Sequence, residues 1–172
     1  MFYFLLMSIQ TNKSYQFYKL YHQNKVNKLI HIICIPLIVW SLSVLLNSIV
    51  FNFGITLFNV QTNFNISFSL NIYLSFIILF FYWIFYMLID YQSYQQMFLF
   101  LSFIWLSSYY FFISFDSPYY YAIIVNVFSW IMQFIGHGIF EGKRPALMDS
   151  IHQAFLMAPL FTYYELLELF KN

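Results

Sequence analysis

The residues of this 172-residue chain that could do chemistry are few, and they fall into two groups. The first is Tyr21-His22 with Asn27 and His31. Asn27 and His31 are four apart, so a helix places them on one face. His22 and His31 are nine apart, which on one straight helix puts them on opposite sides of the axis. For both to reach a single metal ion the chain must break between them, and Gln23-Asn24 is where it can. Spacing alone is a weak metal signal, because lone histidines at a membrane interface are common.

The second group is Gln133, His137 and Glu141, repeating every four residues within Gln133-Phe134-Ile135-Gly136-His137-Gly138-Ile139-Phe140-Glu141-Gly142-Lys143-Arg144-Pro145. A continuous helix puts these three on one face, and an imidazole with a carboxylate can hold a divalent ion. Glu141 can equally pair with Lys143, Arg144, Lys25 or Lys28, and spacing does not choose between these uses. Gly136 and Gly138 leave room for close backbone approach. The fourth histidine, His152, follows Pro145-Ala146-Leu147-Met148-Asp149-Ser150 and reads as an interface residue first and an extra ligand second. Histidines with a carboxylate suit non-haem Fe(II), with positions left open for oxygen and substrate. Zinc also fits the ligand types, but a redox-silent ion would imply hydrolysis. HExxH, a serine elbow, a phosphate-binding glycine loop and the histidine boxes of membrane desaturases are all missing from the sequence.

The elements that must position these groups are set by composition. Hydrophobic residues make up 62% of the chain and charged residues 8%, with a mean hydropathy of +0.71. A soluble domain carries about 25% charged residues. The expectation is an all-α, multi-pass transmembrane helical bundle, one domain over 1–172. It has four to five hydrophobic helices and a short N-terminal helix on the cytosolic side. Four spans are expected at 29–51, 70–89, 97–115 and 119–135, lengths that suit the hydrocarbon core. Residues 52–69 read as a polar, Asn-rich connector carrying the sequon Asn65-Ile66-Ser67. Residues 151–170 are apolar but interrupted by His152, Gln153, Pro159, Glu165 and Glu168, and they span, re-enter or lie at the interface.

Charge orients this layout. The net charge is only +1, so a nucleic-acid surface is not expected. Lys13, Lys19, Lys25 and Lys28 precede the first span, and Lys143-Arg144 come after the fourth. Four crossings bring both clusters to the cytosolic side, and with them His22, His31, His137 and Glu141. Met1 to Met7 is apolar but has no basic region before it, so a cleaved secretory signal is not expected. Cys34 is the single cysteine and reads as a packing residue. Tyr119-Tyr120-Tyr121 beside Pro118 reads as part of an interfacial aromatic belt.

Two stretches resemble a known family. Phe17-Tyr18-Lys19-Leu20-Tyr21-His22, with Asn27-Lys28-Leu29-Ile30-His31 and then Pro36, resembles the opening signature of the DUF962 family. Trp130-Ile131-Met132-Gln133 onward, through His137, Glu141 and Pro145-Ala146-Leu147, resembles its second signature. That likeness continues through Gln153, Ala158-Pro159-Leu160-Phe161 and Glu165, so it covers Ser14 to Leu169. Ile33-Cys34 stand where the family has a glycine, a change that concerns helix packing. The best-known branch is the fungal 2-hydroxy fatty acid dioxygenases of phytosphingosine metabolism. The resemblance implies an endoplasmic-reticulum membrane enzyme that uses Fe(2+) and O2 to shorten a long-chain 2-hydroxy fatty acid by one carbon. It implies that the important histidines are His22, His31 and His137. Joined to the residue reading, it suggests help at the metal from Glu141 and a hold on the substrate carboxylate by Lys143 or Arg144. The alternatives are a non-catalytic membrane scaffold or lipid-binding protein, and a zinc hydrolase.

Overall fold

The structure is a computed structural model, and it describes residues 15–58, 65–90, 93–144 and 153–170. A short helix, α1 (residues 15–20), ends in a turn at Tyr21. The chain restarts at once as α2 (Lys25–Leu46), because Asn24 caps it. The Asn24 side chain accepts from the Val26 amide at 2.8 Å and the Asn27 amide at 3.4 Å, satisfying donors that a helix start leaves open. Helix α2 runs through Pro36 without interruption.

The expected first span, 29–51, is therefore shifted toward the N-terminus, and a β-hairpin occupies the place of the expected connector. Its strands, β1 (Val50–Phe58) and β2 (Asn65–Tyr73), pair antiparallel. The register sets Phe51, Phe53, Ile55 and Leu57 opposite Ile72, Leu70, Phe68 and Ile66, and Asn52 and Thr56 opposite Asn71 and Ser67. The residue types alternate apolar and polar with the period of two that a strand requires. Asn52, Asn65, Ser67 and Ser69, read as connector, lie within these strands. Residues 70–73, expected to begin the second span, finish β2 instead.

Helix α3 (Leu74–Ile89) is consequently only 16 residues, about 24 Å long against a hydrocarbon core of about 30 Å. Helix α4 (Tyr94–Ser114) and helix α5 (Pro118–Ile135) come next, the latter prolonged by a π turn, Gly136–Glu141. Among the described residues three helices, Lys25–Leu46, Tyr94–Ser114 and Pro118–Glu141, are long and apolar enough to cross a membrane, not four or five. The last segment is a π turn, Gln153–Met157, and α6 (Ala158–Leu169), whose 12 residues span about 18 Å. It is too short to cross alone. It lays Ala158, Leu160, Phe161 and Glu165 against the bundle, beside α2.

Helix α2 is the central helix, with 44% of its apolar window buried against 22% for α4 and for the α5 span. Leu99, Phe103, Tyr110 and Phe128 face outward and exposed, as expected of side chains whose solvent is lipid. The buried core joins Leu79 and Tyr86 of α3, Met97, Leu101 and Ile104 of α4, and Leu160 and Phe161 of α6. Cys34 is buried, and Tyr119, Tyr120 and Tyr121 are exposed at the start of α5.

Candidate metal centre

The break between α1 and α2 falls where two histidines nine apart require it. His22 lies just past α1 and His31 lies two turns into α2. The turn at Tyr21–Asn24 folds the first back onto the second, leaving their ring centroids 4.4 Å apart. Antiparallel α5 brings His137 to the same point, 4.9 Å from His22 and 4.8 Å from His31. The three rings stand at 73–88° to one another. Each is buried to 3% exposure or less, and one nitrogen from each lies within 4.8 Å of the others.

Backbone carbonyls decide which nitrogens are available. The Nδ1 of His22 lies 2.9 Å from the Tyr18 carbonyl, and the Nδ1 of His31 lies 2.8 Å from the Asn27 carbonyl. A carbonyl only accepts, so both Nδ1 atoms carry the proton and both Nε2 atoms keep a lone pair. His22 Nε2 and His137 Nδ1 are buried with no hydrogen-bond partner among the described residues. Burial also holds the His22 imidazole neutral, moving its pKa from 6.5 down to about 3. Buried, unpaired, neutral nitrogens aimed at one point fit a divalent metal ion, whose binding needs unprotonated imidazoles and compensates their desolvation.

Glu141 is not part of this cluster. It stands four residues after His137, at the end of the π turn, and turns toward the chain break instead. Its carboxylate accepts the backbone amides of Gln23 at 2.9 Å and Asn24 at 2.9 Å, and the Asn27 side-chain amide at 3.2 Å. It thus clasps the turn between the first two histidines to the element bearing the third. Lys143 tightens the same clasp, donating from Nζ to the Leu20 carbonyl at 2.7 Å. Arg144 is exposed. Gly142 ends the π turn with φ +65°, the left-handed conformation that favours glycine. His152 lies outside the described residues.

Gly136 is where α5 meets α2. A Cβ there would stand 2.5 Å from the Asn27 side-chain oxygen, whereas one at Gly138 meets nothing within 4 Å. Of the two glycines singled out by sequence, one makes the close approach.

Two further contributors stand beside the histidines: Tyr18, which the residue reading left without a chemical role, and Gln133, which it grouped with His137. Tyr18, one turn before His22, stacks on it with centroids 3.8 Å apart, and its hydroxyl donates to Glu165 at 3.3 Å. Gln133, one turn before His137, is buried beside the cluster. The i−4 spacing of each from a histidine was the available signal. Around Glu165 lie Lys28 at 3.8 Å and, further out, Lys19 bonded to Glu168. Burial outweighs Lys28 and pushes the Glu165 carboxyl up to about 7.

From the histidines a cavity of about 160 Å³ extends along α2, past Ile35, Ile38 and Leu42 to Leu46. Fifteen residues of helix give it a run of about 22 Å. Its walls are apolar, and Phe134 and Phe155, which line it, are also exposed on the outer surface. The hydroxyls that line it are engaged elsewhere: Tyr82 donates to the Phe155 carbonyl, Ser43 pairs with Ser108, and Ser75 with Asn47.

A family model described as "2-hydroxy-palmitic acid dioxygenase Mpo1-like" matches residues 9–169. The chain belongs to the Mpo1-like family. It is 32% identical over 151 residues, 88% of this chain and 76% of the relative, to the 2-hydroxy-palmitic acid dioxygenase MPO1 of Saccharomyces cerevisiae. No solved structure matches it. In this Mpo1-like chain, membrane-spanning helices and a buried three-histidine cluster together support a metal-dependent enzyme acting on lipid.

Proposed function

We propose that this protein is an Fe(II)-dependent dioxygenase that shortens long-chain 2-hydroxy fatty acids by one carbon. The observation that carries the reading is the set of three buried imidazoles, with orphaned nitrogens, at the head of an apolar channel. His22, His31 and His137 would hold the ion and leave other coordination positions open. The ion would supply Lewis acidity and one-electron chemistry with dioxygen.

The remaining work falls to the chain. Ile35, Ile38 and Leu42 take the acyl tail, each buried methylene contributing about 0.8 kcal/mol. Lys143 and Arg144 put positive charge next to the histidine end, favouring a carboxylate there over neutral lipid. Glu141 and the two backbone carbonyls fix the rings before any ligand arrives, so little reorganisation remains at binding. The proposed reaction balances without an outside reductant. The C1–C2 bond breaks, C2 becomes the new carboxyl carbon, C1 leaves as carbon dioxide, and four substrate electrons reduce O2, giving one water. The basic clusters, Lys13 to Lys28 and Lys143-Arg144, support a cytosolic orientation of this end, and the family resemblance supports the endoplasmic-reticulum membrane as the location.

The test is product analysis on purified, anaerobically iron-loaded protein given 2-hydroxypalmitate, with and without oxygen. A one-carbon-shorter acid should form only with both iron and oxygen. His137→Ala should lose bound iron and lower turnover by more than about 100-fold, beyond the range of an outer-shell change. Wild-type turnover in that variant, or no product from folded, iron-bound protein, would overturn the reading. Oxygen-independent turnover with zinc would replace it with a hydrolase.

A further inference from the structure

Gln133 offers a polar group that the metal cluster does not use. It lies on α5 one turn before His137, is 7% exposed, and lines the cavity that the three histidines head. Its Nε2 is buried without a hydrogen-bond partner among the described residues. An amide donor stripped of water and left unpaired is costly, and in native structures such groups generally await a ligand or a water. The hydroxyls that line the cavity are already paired, Tyr18 with Glu165, Tyr82 with the Phe155 carbonyl, Ser43 with Ser108 and Ser75 with Asn47.

The direction of α5 places this donor. The helix runs toward the histidine end, so Gln133 sits about 6 Å from His137 along the axis, on the channel side. A fatty acid bound with its head at the histidines and its tail along Ile35 and Ile38 passes Gln133 at its first carbons. The carboxylate oxygens lie beyond it, and the oxygen on C2 lies alongside. We propose that Gln133 is a specificity-determining residue, donating from Nε2 to the 2-hydroxyl oxygen of the substrate. This rests on the 2-hydroxy acid reading above. An acid without the hydroxyl leaves the amide buried and unpaired, so the site selects against it by the donor's own desolvation.

The test is equilibrium binding, which needs no turnover. Iron-loaded, oxygen-free protein in lipid nanodiscs is titrated with 2-hydroxypalmitate and with palmitate, for wild type, Gln133→Met and Gln133→Glu. Methionine keeps the length and volume without a donor, and an ionised glutamate keeps the shape but only accepts. Both variants should retain the wild-type iron content. The preference for the 2-hydroxy acid should fall roughly tenfold or more, through weaker binding of that acid. In Gln133→Met, palmitate should bind as before or tighter. An unchanged preference, an equal loss for both acids, or a loss of iron from both variants would overturn the assignment and leave the 2-hydroxy acid reading standing. Wild-type protein that holds iron and binds neither acid would overturn that reading, and this inference with it.

Discussion

His22 and His31 become ligands-in-waiting through the same small device, an Nδ1–H held by the carbonyl four residues earlier. That bond fixes the tautomer and leaves Nε2 free to face the cluster. Glu141 acts one step further out, and its role is set by its contacts, three N–H donors around the Tyr21–Asn24 turn. Hydrogen bonds to a charged group contribute about 1.5–3 kcal/mol each before the cost of leaving donors unpaired. Glu141→Ala should therefore destabilise the fold by roughly 3–5 kcal/mol, water replacing part of the loss at the exposed Gln23 amide, and weaken iron retention about 10–100-fold. Glu141→Gln, which keeps an acceptor oxygen, should recover part of both. Denaturation midpoints and competition with a chelator read the two effects separately. A Glu141→Ala protein that unfolds like wild type yet loses all iron would instead make the carboxylate a direct ligand.

At the scale of elements, the site depends on how closely α5 can lie on α2. Gly136 permits that contact, because any side chain there would strike the buried Asn27, whose own carbonyl holds His31. Gly136→Ala should cost about 1–3 kcal/mol, the usual range for overpacking, and should move His137 away from the other two rings. Gly138→Ala, with open space around it, should change stability by less than about 0.5 kcal/mol. Thermal unfolding combined with iron stoichiometry compares them, and equal behaviour of the two variants would remove Gly136 from this role. The π turn is the other elemental determinant. It carries His137 near its start and Glu141 at its end, so one short element presents both the ligand and the clasp.

Across the whole molecule, the polar groups of the histidine end form a buried layer between the cluster and α6. Glu165 is its least soluble member, facing Tyr18, Lys28 and, more remotely, Lys19 and Glu168. Burial raises its pKa from 4.5 to about 7. The unfolded chain ionises it first, so its neutral form favours the fold fully below about pH 4.5, and that contribution is lost as pH rises through 7. Wild-type protein should therefore lose thermal stability between pH 5 and 8 relative to Glu165→Gln, which cannot ionise, by roughly 5–10 °C. Parallel Tm–pH curves for the two proteins would remove the buried carboxyl as the cause.

Sequence alone determined that this is a membrane bundle, because 62% hydrophobic and 8% charged residues leave no way to cover a soluble surface. It also determined that His22 and His31 need a break in the helix between them to meet, since nine residues on one helix put them on opposite sides, and it offered Gln23-Asn24 as a place for it. The alternation that makes β1 and β2 was present in the letters as well, but asparagine and serine outweighed period two in the reading of 52–69. Three things were decided only by tertiary structure. The meeting of His137 with the first two histidines depends on α5 lying antiparallel on α2 at Gly136, a contact between positions more than a hundred residues apart. The part played by Glu141 depends on the Tyr21–Asn24 turn packing against the end of α5, again a contact between positions more than a hundred residues apart. The available nitrogens of His22 and His31 depend on hydrogen bonds to backbone, which carries no residue identity for a sequence to display.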